Sequence, residues 1–242
     1  MFRIIIPYFS SLLLLILWWS MFTNSQYLIA FNIFLILLII LTARVIFQNY
    51  FWSRYLLWFS LIISFLGQLL FLTLMTSNTL RYLLAFFLAF LWLLVWFFIK
   101  KYFDNFKEIN NTEYLEFNKF FYYLSFYFLI SSLYSLIIFI DLNLFLATFL
   151  VFIASFIYTK EISSSLLDLD KKFLYFVIFL MIQLFIILYY LPVSFYLAGT
   201  IFISYYFFLI DFNIKKSQNF KNYFLIFFFS ITLLLITSIL KY

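Results

Sequence analysis

The sequence predicts an all-α integral membrane protein. It reads as about nine transmembrane helices, arranged as four hairpins plus a final helix, with the N-terminus cytoplasmic and the C-terminus outside. Three observations predict this. Of 242 residues, 68% are hydrophobic and 10% charged, against roughly 45–50% and 25% in soluble domains. The apolar residues fall in runs long enough to cross a hydrocarbon core about 30 Å thick. The basic residues fall almost entirely in alternate segments between those runs. A globule of this size has no core volume for so much apolar surface, which excludes a soluble enzyme, a nucleic-acid-binding domain, a disordered chain and a secreted disulfide scaffold.

Nine stretches are long and apolar enough, or nearly so: Ile4–Phe22, Tyr27–Ala43, Tyr55–Met75, Tyr82–Ile99, Phe120–Ile140, Leu144–Thr159, Phe173–Leu191, Phe195–Ile210 and Tyr223–Leu240. None contains a charged residue. Together they make one polytopic domain over residues 1–242. The sixth and eighth are short and lean on flanking residues or a thin bilayer. Forty-one Phe raise strand propensity, but a barrel alternates polar and apolar residues over about ten positions. Runs such as Leu12–Leu17 and Leu35–Leu41 do not alternate, so helices are expected. The first stretch follows Arg3 like a secretory leader, yet Trp18, Trp19, Ser20 and Met21 offer no small-residue cleavage site. It reads as a retained first helix.

The charges give a separate test of the count. Arg3, Arg44 and Arg54, then Lys100, Lys101, Lys107 and Lys119, then Lys160, Lys171 and Lys172, then Lys215, Lys216 and Lys221 occupy alternate segments. Those are thirteen of the fifteen basic residues; the intervening set holds Arg81 and Lys241. The positive-inside rule makes the richer side cytoplasmic or matrix-facing. The net charge of +6 is thereby explained as topology, with attraction to anionic lipid head groups included. The expected partners are the lipid bilayer and other membrane proteins or further copies of the chain, and no nucleic acid.

No Cys and no His occurs. That removes disulfides, the usual zinc, haem and iron–sulfur ligands, and the His-dependent nucleophile pairs. No cofactor and no catalytic residue is expected. Enrichment in Phe, Tyr, Ile, Asn and Lys over Gly, Ala, Arg and Pro matches A/T-rich codons. It points to the plasma membrane of an AT-rich bacterium, or alternatively to a mitochondrial or other organellar inner membrane.

Short outer turns pair helices one with two, three with four, five with six and seven with eight. Lys119-Phe120-Phe121-Tyr122 and Lys172-Phe173-Leu174-Tyr175 resemble each other, as do Arg54-Tyr55-Leu56-Leu57 and Arg81-Tyr82-Leu83-Leu84; matches this short arise readily in so biased a chain. In the longest loop, 100–119, Phe103, Phe106 and Ile109 have the spacing of an interfacial helix face, and Asn111 or Thr112 is placed to cap a helix entering span five.

No Asp, Glu, Lys or Arg lies inside a span, which counts against a proton-coupled pump. The deepest polar side chains are Asn32, Gln68 and Gln183, the possible intramembrane contacts. Gln68 shares a helix stripe with Ser60 and Ser64, where the small side chains favour close packing and the amide a bond to a neighbouring helix. Ala85 and Ala89 make a similar packing face. Asp141-Leu142-Asn143 and Asp211-Phe212-Asn213 look alike, but fall on opposite sides and read as helix ends.

Glu161, Asp168 and Asp170 are weak candidates for a Mg²⁺ site in the loop after helix six. In helix number, orientation and this two-aspartate pattern the chain resembles the nine-helix polyprenyl transferases related to the ubiquinone-pathway enzyme. That resemblance implies a second aspartate-rich motif after helix two, and 44–54 contains no acid, so half of the site is missing.

Three function classes follow. The first is a non-catalytic helical subunit packing within a larger membrane assembly. The second is a transporter or permease for a small or lipid-like substrate, where only Gly67 and Gly199 offer the helix breaks that such proteins use. A Mg²⁺-dependent lipid or prenyl transferase is the distant third.

Overall fold

The computed structural model describes residues 2–23, 28–47, 54–104, 112–166, 171–191 and 193–214. All regular structure among them is helical: α1 (Phe2–Thr23), α2 (Leu28–Phe47), α3 (Tyr55–Leu74), α4 (Asn78–Asp104), α5 (Thr112–Ile140), α6 (Leu144–Leu166), α7 (Lys171–Tyr190) and α8 (Phe195–Ile214). Aromatic and β-branched residues favour strands in water. A chain this apolar forms helices because each helix satisfies its own backbone groups wherever water is absent. Five segments are long and apolar enough to cross a membrane: Tyr55–Leu74, Asn78–Asp104, Glu116–Ile140, Leu144–Ser163 and Lys172–Tyr190. Shorter apolar segments, Ile5–Ser20, Phe31–Phe47 and Phe195–Ile210, lie in α1, α2 and α8. The expected ninth stretch, 223–240, lies outside the described residues.

Helices run past the apolar stretches, furthest in α4, α5 and α6. α4 continues to Asp104, α5 starts at Thr112 and α6 continues to Leu166. The stretches were bounded by the first charges, Lys100, Lys119 and Lys160; Lys and Glu are good helix formers and do not end a helix. Lys160 continues α6 with its ammonium 5.3 Å from the centre of the Phe156 ring. Phe103, expected on an interfacial helix, belongs instead to α4 and is buried against Phe47, ring centres 4.9 Å apart. Phe106 and Ile109 lie outside the described residues.

The chain divides into two compact units, Met1–Tyr122 and Tyr123–Tyr242. In the first, α1 packs on α2 and α4, α2 on α3 and α4, and α3 on α4. The start of α5 joins this unit through Phe121, whose ring lies 5.5 Å from that of Trp92. The Ala85 and Ala89 face of α4 and the Ser60 and Ser64 stripe of α3 are buried, as small packing surfaces should be. At the α3–α4 turn Arg81 donates to the Met75 carbonyl at the end of α3 and lies 5.3 Å from the centre of the Phe22 ring.

In the second unit α7 packs on α6 and α8. The rest of α5 is held by rings: Phe126 meets Tyr158 of α6 at 5.3 Å, and Phe202 and Tyr206 of α8 at 5.1 Å each. α5 closes with Asp141 at φ 55° and the Leu142 N–H bonded to Leu136 O at 3.2 Å, a left-handed helix stop. Asn143 then caps α6, its Oδ1 accepting from Phe145 N at 2.8 Å. Asp141-Leu142-Asn143 is thus a helix boundary. Asp211 and Asn213 fall in the last turns of α8.

Candidate functional site

Hydroxyls inside the helices mostly bond back to their own backbone. Thr42 bonds Leu38 O at 2.7 Å, Ser132 bonds Phe128 O at 2.6 Å and Thr148 bonds Leu144 O at 2.8 Å. Groups that cannot do so show where chemistry is available. The three intramembrane candidates meet three different fates. Gln68 is completely buried in α3, and its Oε1 accepts from the Trp92 indole N–H at 2.8 Å. Its amide cross-links α3 and α4. Asn32 is half-buried in α2, and its Oδ1 is shut away from solvent with no hydrogen-bond partner. Gln183 is exposed on α7.

Glu161 lies within α6 and is 3% exposed. It is therefore a helical, buried carboxyl and not part of the loop that was expected to hold it. Asp168 and Asp170 lie outside the described residues. Among the described residues no group of three acidic side chains is placed to hold a metal ion.

One polar arrangement in the first unit joins α3, α4 and α5, and includes none of the expected candidates. Arg54 Nη2 donates to Tyr102 OH at 3.3 Å, and the Tyr102 ring stacks on Tyr114 at 4.3 Å. Asn118 Nδ2 lies 3.4 Å from Tyr114 OH and 3.1 Å from Tyr122 OH. Ser60 Oγ lies 2.9 Å from Tyr122 OH and 2.7 Å from Leu57 O. Each hydroxyl has one proton. All three bonds around Ser60 are made when Asn118 donates to Tyr122, Tyr122 to Ser60 and Ser60 to the Leu57 carbonyl. The relay ends on a backbone carbonyl and ties α3 to α5. Its signal in the sequence is the four-residue spacing of Tyr114, Asn118 and Tyr122, which places them on one helix face.

Hydrogen bonds also run between helices in the second unit. The Tyr134 hydroxyl of α5 donates to Phe185 O of α7 at 2.6 Å, and Thr159 of α6 lies 3.1 Å from Tyr206 OH of α8. Gly67 and Gly199 sit inside unbroken helices. At Gly199 an added Cβ would collide with Ser131 Oγ and lie 3.2 Å from the Tyr127 ring, so this glycine serves close approach of α8 to α5.

The described residues define an all-helical chain with several segments long and apolar enough to span a membrane. Comparison with protein-family models, curated proteins and solved structures finds no match to it.

Proposed function

We propose that the chain is an integral membrane protein of nine transmembrane helices, N-terminus on the cytoplasmic or matrix side and C-terminus opposite. In this reading it acts as a non-catalytic helical subunit within a larger membrane assembly. The plasma membrane of an AT-rich bacterium, or alternatively an organellar inner membrane, is where it would reside. The observation that carries the reading is the disposition of polar and apolar groups. Amide, indole and phenol groups inside each unit bond helix to helix, as Gln68 to Trp92 and Tyr134 to Phe185. Bulky side chains such as Phe86, Phe139, Phe145 and Tyr190 are more than 60% exposed. Soluble monomers rarely leave large contiguous apolar patches uncovered, whereas lipid and neighbouring subunits cover such faces.

A permease reading has one observation in its favour, the unpartnered Asn32 oxygen. Helices that stay unbroken through Gly67 and Gly199 weigh against it, because transporters expose backbone groups at such breaks.

Mild-detergent extraction from native membranes, followed by a native gel and mass spectrometry, tests the assembly. A stoichiometric set of other membrane proteins in the band is the expected result; a lone monomer, or a homodimer without partners, overturns it.

A further inference from the structure

Gln183 is the odd residue on the face it occupies. α7 buries 28% of its apolar span, against 44–67% for the other four long ones. Its inner face is Val177, Met181, Phe185 and Leu188; the opposite face carries Phe176, Phe179, Ile186, Ile187 and Tyr190, all at least 36% exposed. Gln183 projects from this outer face. It stands seven residues before the end of α7 at Tyr190 and twelve after its start at Lys171, about 10 Å along the axis from the nearer end. Its amide has no hydrogen bond among the described residues, and in hydrocarbon it would keep one acceptor and two donors unsatisfied.

We infer that the outer face of α7 is a self-association surface on which Gln183 pairs with Gln183 of a second copy of this chain. The inference rests on the membrane reading above and names one contact within the proposed assembly. Self-complementarity supports it: a primary amide offers both a carbonyl and an N–H, so two identical side chains related by a twofold axis satisfy each other. Depth supports it as well. Two copies inserted in the same orientation bring Gln183 to the same level in the bilayer, whereas an unrelated partner must carry its own polar group at that level. The bulky residues above and below Gln183 recur at three- and four-residue intervals, the pattern of a helix-packing seam.

The chain has no Cys, so single cysteines report without background. Phe179→Cys, Ile186→Cys and the inward-facing Met181→Cys, each with Gln183 retained, are oxidised in native membranes with the full chain in its assembly. The expected result is a covalent dimer of this chain at 179 and 186, reduced when Gln183→Leu is added, and none at 181. In a second measurement, energy transfer between labelled copies in vesicles, Gln183→Leu weakens self-association about 3- to 20-fold and Gln183→Asn retains most of it. Gln183 is exposed, so neither change disturbs the fold of one copy. Three outcomes overturn the inference: no chain-to-chain link at 179 or 186, a link from these positions to a different protein, or a monomer in which residues 215–242 shield them from a lipid-soluble maleimide. If they fail to link while other proteins still co-purify, the α7 pair falls and the assembly survives. A homodimer linked at them without partners has the opposite meaning.

Discussion

The two units use the aromatic excess of this chain in opposite ways. All six tryptophans lie in the first, none beyond Trp96. Trp18 stacks near Phe65 at 6.0 Å, Phe65 meets Trp92 at 6.3 Å, and Trp92 meets Trp96 at 5.5 Å. The second unit is centred on Phe126, Phe185 and Phe202, with tyrosine hydroxyls supplying the bonds between helices. The difference shows in what each leaves unsatisfied. In the first unit the buried groups without a partner include the indole N–H of Trp18 and Trp96 and the amide oxygen of Asn32; in the second they include the hydroxyls of Ser131 and Ser155. A serine hydroxyl can rotate onto its own helix carbonyl, as Ser132 does. An indole or an amide on a helix has no such recourse. The first unit therefore carries polar groups that require something from outside their own helix.

The largest effect separates the units by packing. Gly199→Ala drives a methyl into Ser131 Oγ and leaves it 3.2 Å from the Tyr127 ring and 3.3 Å from Ser131 Cβ, contacts that rotating the hydroxyl does not relieve, and should lower stability by about 1–3 kcal/mol, the cost of overpacking. The gain in helix propensity works against this by less than about 1 kcal/mol. Adding Ser131→Ala opens the contact and should recover at least half of the loss. Thermal unfolding in detergent followed by circular dichroism measures both. Gly199→Ala without a loss would mean that α8 has room to move off α5.

The second effect belongs to the first unit. Gln68→Leu leaves the Trp92 N–H buried without its acceptor and should cost about 1–2 kcal/mol. Trp92→Phe in addition removes the orphan donor, so the double variant should lose less than the two single losses combined. Tryptophan emission follows this unit alone, because the other contains no Trp. Strict additivity would mean that the 2.8 Å bond contributes nothing to the packing of α3 on α4.

How far the sequence could anticipate this depended on the distance over which each signal acts. Apolar runs are local, and each helix from α1 to α8 overlaps an apolar stretch read from residue order. Charges mark where water begins and not where a helix ends, so α4, α5 and α6 overran their stretches and took Glu161 and Phe103 out of expected loops. The packing role of Ser60, Ser64 and Gln68 was readable because all three lie on one helix. Which side chain answers Gln68 was not, because Trp92 is twenty-four residues away on another helix and any of several donors on α4 had the right chemistry. The outward direction of Gln183 was hidden for the same reason: in a helix apolar all round, periodicity does not say which face meets protein.

The smallest effects test the asymmetry of the orphaned groups directly. Asn32→Leu removes a buried acceptor that nothing in its unit answers, and should raise stability by up to about 1 kcal/mol, since an unmade bond costs more than its absence. Ser155→Ala, in the second unit, should stay within about 0.5 kcal/mol of the parent, because its hydroxyl is one rotation from a carbonyl of its own helix. Opposite outcomes have distinct meanings. A loss at Ser155→Ala would place a partner on that hydroxyl and make the units alike. A loss at Asn32→Leu would mean that the amide is answered in the membrane by a bound small molecule, and the permease reading would then gain the occupied polar site that it lacks.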